Sequence, residues 1–337
     1  MSFWETLKNQ DSSQPTDPIS AIKQLGKERL AELKSLGEKL FEHIPPRDLI
    51  TLLFPPAMGI DILAGAISDK HVDDNFNPKF PDQNLTKACL DMAEWFSNNY
   101  FSTKITGLEN VPKDGAALLA GNHSAGLMPI DALFAMRAIH RAQSCDRIVH
   151  PLVHDFAYAA PRIARNAQKM GILRATKKNA LEALEANRLV LVYPGGDQDA
   201  FRTFKERGKI VLAGRKGFVK TAMIANVPIV PLVSIGLHES FIVLSKGQRI
   251  AEKLGLKKLF RTDLFPISLS FPWGISPAFL PFLPLPTSVE MHFCEPIWAT
   301  GDPEDSAVVD SIYSKVNESM QATMDDLSKN RIPWFGR

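Results

Sequence analysis

Hydrophobic residues first recur along this chain at helical spacing. Asp17-Pro18 predicts a helix start, a capping side chain followed by proline at the first helical position. Ile22, Leu25, Leu33, Leu36, Leu40 and Ile44 then fall on one face, with Lys and Glu on the other, until Pro45-Pro46 stops the pattern. The polar face mixes both charge signs, so the helix either lies on a membrane or packs on the body of the protein. Leu49 to Ile67 is the most apolar early stretch, but Pro55, Pro56 and Asp61 interrupt it. It reads as a helical hairpin dipping into an interface or as core, not as a standard spanning helix. Ser68 to Asp82 is polar and proline-containing, a linker, and Leu85, Cys89, Met92 and Phe96 predict a second helix.

From there the periods alternate. Thr103 to Thr106 and Ala116 to Ala120 predict strands on either side of the turn-rich Gly107 to Gly115. Asp131 to Ile139 is helical, Ile148 to Val153 a strand, Asn179 to Ala186 a helix and Leu189 to Tyr193 a strand. Gly217 to Ala225 is helical, Ile229 to Ile235 and Val289 to Phe293 are strands, and Ser306 to Leu327 is a closing helix. Strands alternating with helices predict an α/β fold with a mostly parallel central sheet flanked by helices, preceded by an N-terminal helical region. The division expected is 1–82, a candidate for membrane association, and 83–337, the main domain. Leu264 to Pro286 departs from both periods. It carries no charged residue, and its prolines exclude regular helix or central strand, so it either packs on something apolar or dips into lipid.

Composition changes this picture little. The 337 residues are 45% hydrophobic and 23% charged, as in globular proteins. A net charge of +2 gives no ground for a nucleic-acid partner. Cys89, Cys145 and Cys294 are far apart and show no metal-ligand spacing, so neither a metal nor a disulfide framework is expected. Met1 to Pro18 lacks a basic segment followed by an apolar one, and no signal peptide is expected.

Three segments carry candidate chemistry. The strand Ala116 to Ala120 delivers Gly121-Asn122-His123-Ser124, and Asp131 follows at the start of the next helix. A histidine held by a carboxylate can take a proton from a hydroxyl and return it to a leaving group. A histidine followed by an aspartate is by itself a weak pattern, and the alternative is a purely structural pair. Tyr193-Pro194-Gly195-Gly196 ends a strand in a turn that admits close approach of a ligand or of another backbone segment. Between Phe201 and Lys220 seven Lys or Arg accompany one Glu, and Gly214-Arg215-Lys216-Gly217 opens a helix, a setting that suits anionic groups; a solvated face is the alternative. Lys246 to Arg261 adds six more basic residues and one Glu directly before the uncharged proline-rich run. Basic beside uncharged apolar sequence suits a peripheral membrane face.

Taken in order, these segments resemble the glycerolipid (lysophospholipid) acyltransferase family. Asn122-His123 with Asp131 is similar to the family's catalytic His/Asp motif. Gly171-Ile172-Leu173-Arg174 is similar to the block that helps hold the acceptor, and Tyr193-Pro194-Gly195-Gly196 to the Phe-Pro-Glu-Gly block. Val227-Pro228-Ile229-Val230-Pro231 is similar to the apolar strand that lines the acyl site, and Cys294-Glu295-Pro296-Ile297 to the closing Gly-Glu-Pro-Ile. The likeness spans about residues 101 to 298. Seven residues separate His123 from Asp131 where the family usually has four, and Gly195 stands where it often has Glu. Both features, with Gly214 to Phe218, resemble the diacylglycerol acyltransferase-like bacterial branch. That branch often reads Pro-Gly-Gly-x-Arg-Glu, whereas Gln198 and Asp199 stand here, with Arg202 or Arg215 as candidate substitutes for the missing arginine.

The resemblance implies acyl transfer from an acyl thioester, acyl-CoA or acyl carrier protein, to a hydroxyl of a lysophospholipid, glycerolipid or other lipid acceptor. It makes His123 and Asp131 catalytic and places Asn122, Ser124, Arg174, Gly195, Gly196, Arg215 and Lys216 at the substrates, with a backbone N–H near Gly195 or Gly196 at the oxyanion. No cofactor beyond the acyl donor is implied, and the setting is peripheral, on the cytoplasmic side of a membrane. A lipid-binding relative without catalysis and a thioester or ester hydrolase are the alternatives.

Overall fold

The computed structural model describes residues 18–48, 77, 81–124, 126, 128–143, 147–154, 158, 160–256, 263–278, 280 and 282–337, with side chains from residue 26 onward. The stretch Leu49 to Ile67 and most of the predicted linker lie outside the described residues.

The helices are α1 (Pro18–His43), α2 (Gln83–Asn99), α3 (Ile130–Gln143), α4 (Pro161–Lys169), α5 (Lys177–Glu185), α6 (Gly196–Ala200), α7 (Gly217–Ala225), α8 (Leu237–Ser240), α9 (Gln248–Lys253) and α10 (Ser306–Ser328). The strands are β1 (Thr103–Thr106), β2 (Ala117–Gly121), β3 (Val149–Val153), β4 (Leu173–Arg174), β5 (Leu189–Val192), β6 (Pro228–Ile235), β7 (Ile242–Ser245), β8 (Ile267–Ser270), β9 (Gly274–Pro277), β10 (Val289–Phe293) and β11 (Ile297–Trp298).

Eight strands form the main sheet in the order β1-β10-β6-β2-β5-β3-β4, with β11 beside β6. Strands β2, β3, β4, β5 and β6 all run parallel; β10 and β11 run against β6. The architecture is the mostly parallel, helix-flanked sheet that the alternating pattern predicts. A parallel sheet covered on both faces needs strands apolar on both faces, and β2 shows why Ala116 to Ala120 reads as a continuous apolar run. Leu118 and Ala120 face α5, α7 and α10, and Ala117 and Leu119 face α2 and α3. Along α10, Val309, Ile312, Val316, Met320 and Met324 repeat at three and four residues and lie across this sheet. Asp305 starts the helix by accepting from the Ala307 N–H at 2.9 Å. Asp82, the last residue of the predicted linker, does the same for α2 through the N–H groups of Asn84 and Leu85.

The C-terminal end of α1 packs on α2, where Leu40 and Ile44 meet Leu85 and Cys89. Among the described residues no helix is long and apolar enough to cross a membrane.

The proline-rich run corrects its sequence reading. Residues Ile267–Ser270 and Gly274–Pro277 are regular strands, and with β7 they make a separate three-stranded antiparallel sheet, β7-β8-β9, with β8 in the centre. Pro266 and Pro272 flank β8 without entering it, so no ladder N–H is missing from the central strand. A cis Phe271-Pro272 bond lies between β8 and β9.

Candidate active site

The parallel strands β2 to β6 point their C-terminal ends to one edge of the sheet. In open α/β sheets that edge is where ligands bind, and the segments singled out above meet there. Beyond β2, the Asn122 side chain extends the ladder to β6. Its Oδ1 accepts the Ser234 N–H at 2.7 Å, and its Nδ2 donates to the Ser234 carbonyl and to Ser124 Oγ, both at 2.9 Å. Asn122 and Ser124 are buried, with their polar atoms turned into the protein. Both hold the loop in which His123 sits.

The loop from His123 to the next helix does fold back. His123 Nδ1 lies 2.6 Å from Asp131 Oδ2 in the first turn of α3. The same oxygen accepts the Ser124 N–H at 3.0 Å, and Oδ1 accepts the Ala132 N–H at 2.9 Å. A carboxylate fixed by two backbone donors at a helix N-terminus is positioned on its own account, and it selects the tautomer with a proton on Nδ1. Nε2 then has no protein partner among the described residues.

A second carboxylate holds the backbone of the same residue. Asp199, in α6, accepts the His123 N–H at 2.5 Å. Behind it lies a fully buried ion pair, Arg202 Nη1 to Asp199 Oδ1 at 2.9 Å, and Arg202 donates from Nε to His238 Nε2 at 2.9 Å. The guanidinium also reaches the Lys209 carbonyl. Arg202 was one of the two arginines open as an anion grip; the structure instead commits it to this cluster. Asp199 and His238 at the site were not identified from sequence. Asp199 reaches His123 across 76 residues and His238 reaches Arg202 across 36, and the one signal was Asp199 standing where a related motif carries Glu.

Electrostatics follow from burial. Burial opposes the His123 imidazolium, but the charge and hydrogen bond of Asp131, with Asp199 adding, outweigh it against the pull of Arg202. The net pKa lies above the usual histidine value. Burial raises Asp199 to about 6, although Arg202 and His123 favour its charged form. Burial, then the charges of Arg202 and His123, keep His238 well below the ordinary range, so it is a neutral acceptor for Arg202. Burial and the two carboxylates also drive the Tyr193 phenol well above its usual value.

Tyr193 explains Gly121. Its ring lies beside the His123 imidazole, centroids 5.0 Å apart, and a Cβ on Gly121 would sit 2.7 Å from the Tyr193 ring. The next two glycines have steric reasons of their own. A side chain on Gly195 would collide with the Val211 carbonyl and with Asp199, and one on Gly196 would meet the Arg215 guanidinium at a φ of +52°. The close approach this turn admits is thus made by protein atoms. The Gly196 N–H donates to the Tyr193 carbonyl at 3.1 Å.

The basic residues expected at the substrates are more dispersed. Arg215 bonds the Pro194 carbonyl at 3.2 Å and pairs with Asp197 at 2.9 Å; Lys216 pairs with Asp310. Arg174 ends β4, on the same edge of the sheet as His123. It is three strands removed from β2, roughly 14 Å at standard strand spacing. No group of three or more His, Cys, Asp or Glu suited to a metal occurs among the described residues.

Comparison with known proteins places these features. A family model described as acyltransferase matches residues 102–235, which takes in β1 to β6. An uncharacterised protein of Mycobacterium tuberculosis is 32% identical over 268 residues, 78% of this chain and 71% of that protein. A human protein named DGAT1/2-independent enzyme synthesizing storage lipids is 27% identical over 236 residues, 68% of this chain and 62% of its own length. The crystal structure of the 1-acyl-sn-glycerophosphate acyltransferase of Thermotoga maritima aligns with a TM-score of 0.45 at 17% identity, over 84% of this chain and 98% of the other. On the family model and the relatives that match across most of its length, the chain belongs to the acyltransferase family.

Proposed function

We propose that this acyltransferase moves a fatty acyl group from an acyl thioester, acyl-CoA or acyl carrier protein, to the hydroxyl of a lipid acceptor, with His123 as general base. The observation that carries the reading is the 2.6 Å contact of His123 Nδ1 with Asp131, which leaves Nε2 as the ring nitrogen able to take a proton. The acceptor oxygen attacks the thioester carbonyl as its proton passes to His123 Nε2. The tetrahedral intermediate collapses with cleavage of the C–S bond, and the proton on Nε2 goes to the departing thiolate. Asp131 orients the ring and stabilises the imidazolium. No covalent acyl-enzyme is required, and the Ser124 hydroxyl, buried against Asn122, is a loop support in this scheme. Asn122, Asp199, Arg202 and His238 act through the placement of His123. The Gly195 backbone N–H is assigned to the oxyanion, while Arg174, Arg215 and Lys216 are assigned to acidic groups of donor or acceptor.

A lipid acceptor is supported by the name of the human relative, an enzyme synthesizing storage lipids. The test is thiol release from acyl-CoA and from acyl carrier protein across a panel of lysophosphatidate, diacylglycerol, long-chain alcohol and amino-lipid acceptors, with products weighed by mass spectrometry. An acylated lipid formed in step with thiol is the expected result. Thiol release with only free fatty acid formed would establish a hydrolase instead.

A further inference from the structure

In the small sheet β7-β8-β9, strands β8 and β9 turn serines inward and large apolar side chains outward. In a two-faced antiparallel sheet the buried face is ordinarily apolar and the outer face polar. Here Ser268 and Ser276 are paired in register and buried, whereas Leu269 and Ile275, also paired, are exposed. Residues opposite one another in an antiparallel ladder project to the same side, so Leu269 and Ile275 share the outer face with Ile242, which pairs with Leu269. Phe271 and Leu283 continue it through an isolated bridge, and Trp273 lies in the turn between β8 and β9. Ile275 is 72% exposed and Phe271 61%. Among the described residues fourteen large hydrophobics are exposed, and eight of them lie between Leu244 and Leu283, so the apolar surface is gathered on one structure.

The surroundings say what covers it. Helix α9, between β7 and β8, exposes Ile250, Arg249 and Lys253, and Leu254 directly after it is exposed as well. The segment 246–261 holds six Lys or Arg against Glu252 alone, and 264–286 holds no charge at all. An uncharged apolar face with aromatics at its tip, flanked by cations, matches the apolar interior and anionic headgroups of a bilayer leaflet. A face of a protein partner would carry hydrogen-bonding groups over comparable area. The inner face of the same sheet sits on the site: Val243 and Phe241 pack with Ala200 and Phe201, which follow Asp199 directly, and a Cβ on Gly126 would lie 2.8 Å from Phe241.

We propose that the outer face of β7-β8-β9, with α9 at its side, docks on an anionic bilayer and sets the His123 edge of the sheet against the lipid that supplies the acceptor. The proposal deepens the lipid-acceptor reading and takes its functional meaning from it, but its binding test stands apart from catalysis.

The experiment is flotation of the full chain with vesicles of phosphatidylcholine alone and of phosphatidylcholine with phosphatidylglycerol. Three proteins are compared: wild type, the triple variant Leu269→Ser, Phe271→Ser, Ile275→Ser, and the pair Arg249→Glu, Lys253→Glu. All five positions are exposed or half-exposed, and thermal unfolding checks that each variant folds. The wild type is expected to float preferentially with the anionic vesicles. The triple variant should bind both about tenfold less, and the charge pair should lose the preference for phosphatidylglycerol. Thiol release with a short-chain acyl thioester and a monomeric, water-soluble acceptor should stay at the wild-type rate in the triple variant. A triple variant that floats like wild type overturns the proposal. So does a concentration-dependent dimer that the triple variant abolishes, since the face would then cover a second copy. A wild type that floats as expected but acylates no acceptor refutes the proposed function and leaves the docking face intact.

Discussion

The His123 imidazole is held from two sides. Asp131 takes its Nδ1 and Asp199 its backbone N–H, so ring and main chain are fixed from separate directions. A base must be neutral to accept a proton. With the His123 pKa raised above its ordinary value, activity should climb with pH through that raised value. Asp131→Asn removes the leading cause of the rise and leaves burial, which acts the other way. The rising limb should therefore move to lower pH while the rate falls by about a hundredfold or more; a pH–rate profile of both proteins reads both effects. The buried pair behind it is a stability feature. Arg202→Met leaves Asp199 without its cation and is expected to lower unfolding stability by about 3–5 kcal/mol in a urea titration. Because the folded-state pKa of Asp199 is raised, from 3.8 to about 6, its own contribution is full below about pH 4 and is lost as pH rises through 6. Of this constellation, His123 and Asp131 were legible as a motif. Arg202 was read as part of a basic run and as a candidate anion grip, because charge counts do not distinguish a solvated arginine from one buried against Asp199 and His238.

Among the elements, the strand–turn junctions do the positioning. The Gly121 to Tyr193 approach and the Gly195-Gly196 turn bring the Asp199 helix against the His123 loop, and each glycine stands where a Cβ would strike protein. Gly195→Ala should push the Asp199 segment off the His123 N–H. It is expected to reduce activity at least about tenfold and to lower the midpoint of thermal unfolding together, measured by thiol release and a melting curve. Most elements in and around the main sheet were readable because their signals are local: β10, with Val289, Met291 and Phe293 alternating, and α7 have the bounds that the sequence pattern predicts. The small sheet was not readable. Its strands are four residues long, its outward positions are apolar, and prolines at the flanks mask the ladder between them. The period-2 signal assumes polar residues outside, and here that assumption fails for the reason that makes the face interesting.

Over the whole molecule, contacts distant in sequence tie the chain end to the site edge. Arg331 holds Glu239 through Nε and Nη2 at 3.0 and 2.8 Å, and the Trp334 N–H donates to the same carboxylate at 2.7 Å. Glu239 is the neighbour of His238 in α8, and Trp334 stacks on Phe204 just beyond the Asp199 helix. Arg331→Leu should thus destabilise the fold by about 3–5 kcal/mol, the cost of stranding a buried carboxylate, as measured by chemical unfolding. Chemistry at the sheet edge stands or falls with His123. Acylated lipid formed per minute from an acyl thioester is measured for the wild type and for His123→Ala, with equal folding established by circular dichroism. The expected loss in the variant is about 10²–10⁴-fold; a folded His123→Ala protein that acylates lipid at the wild-type rate would rule out His123 as the base.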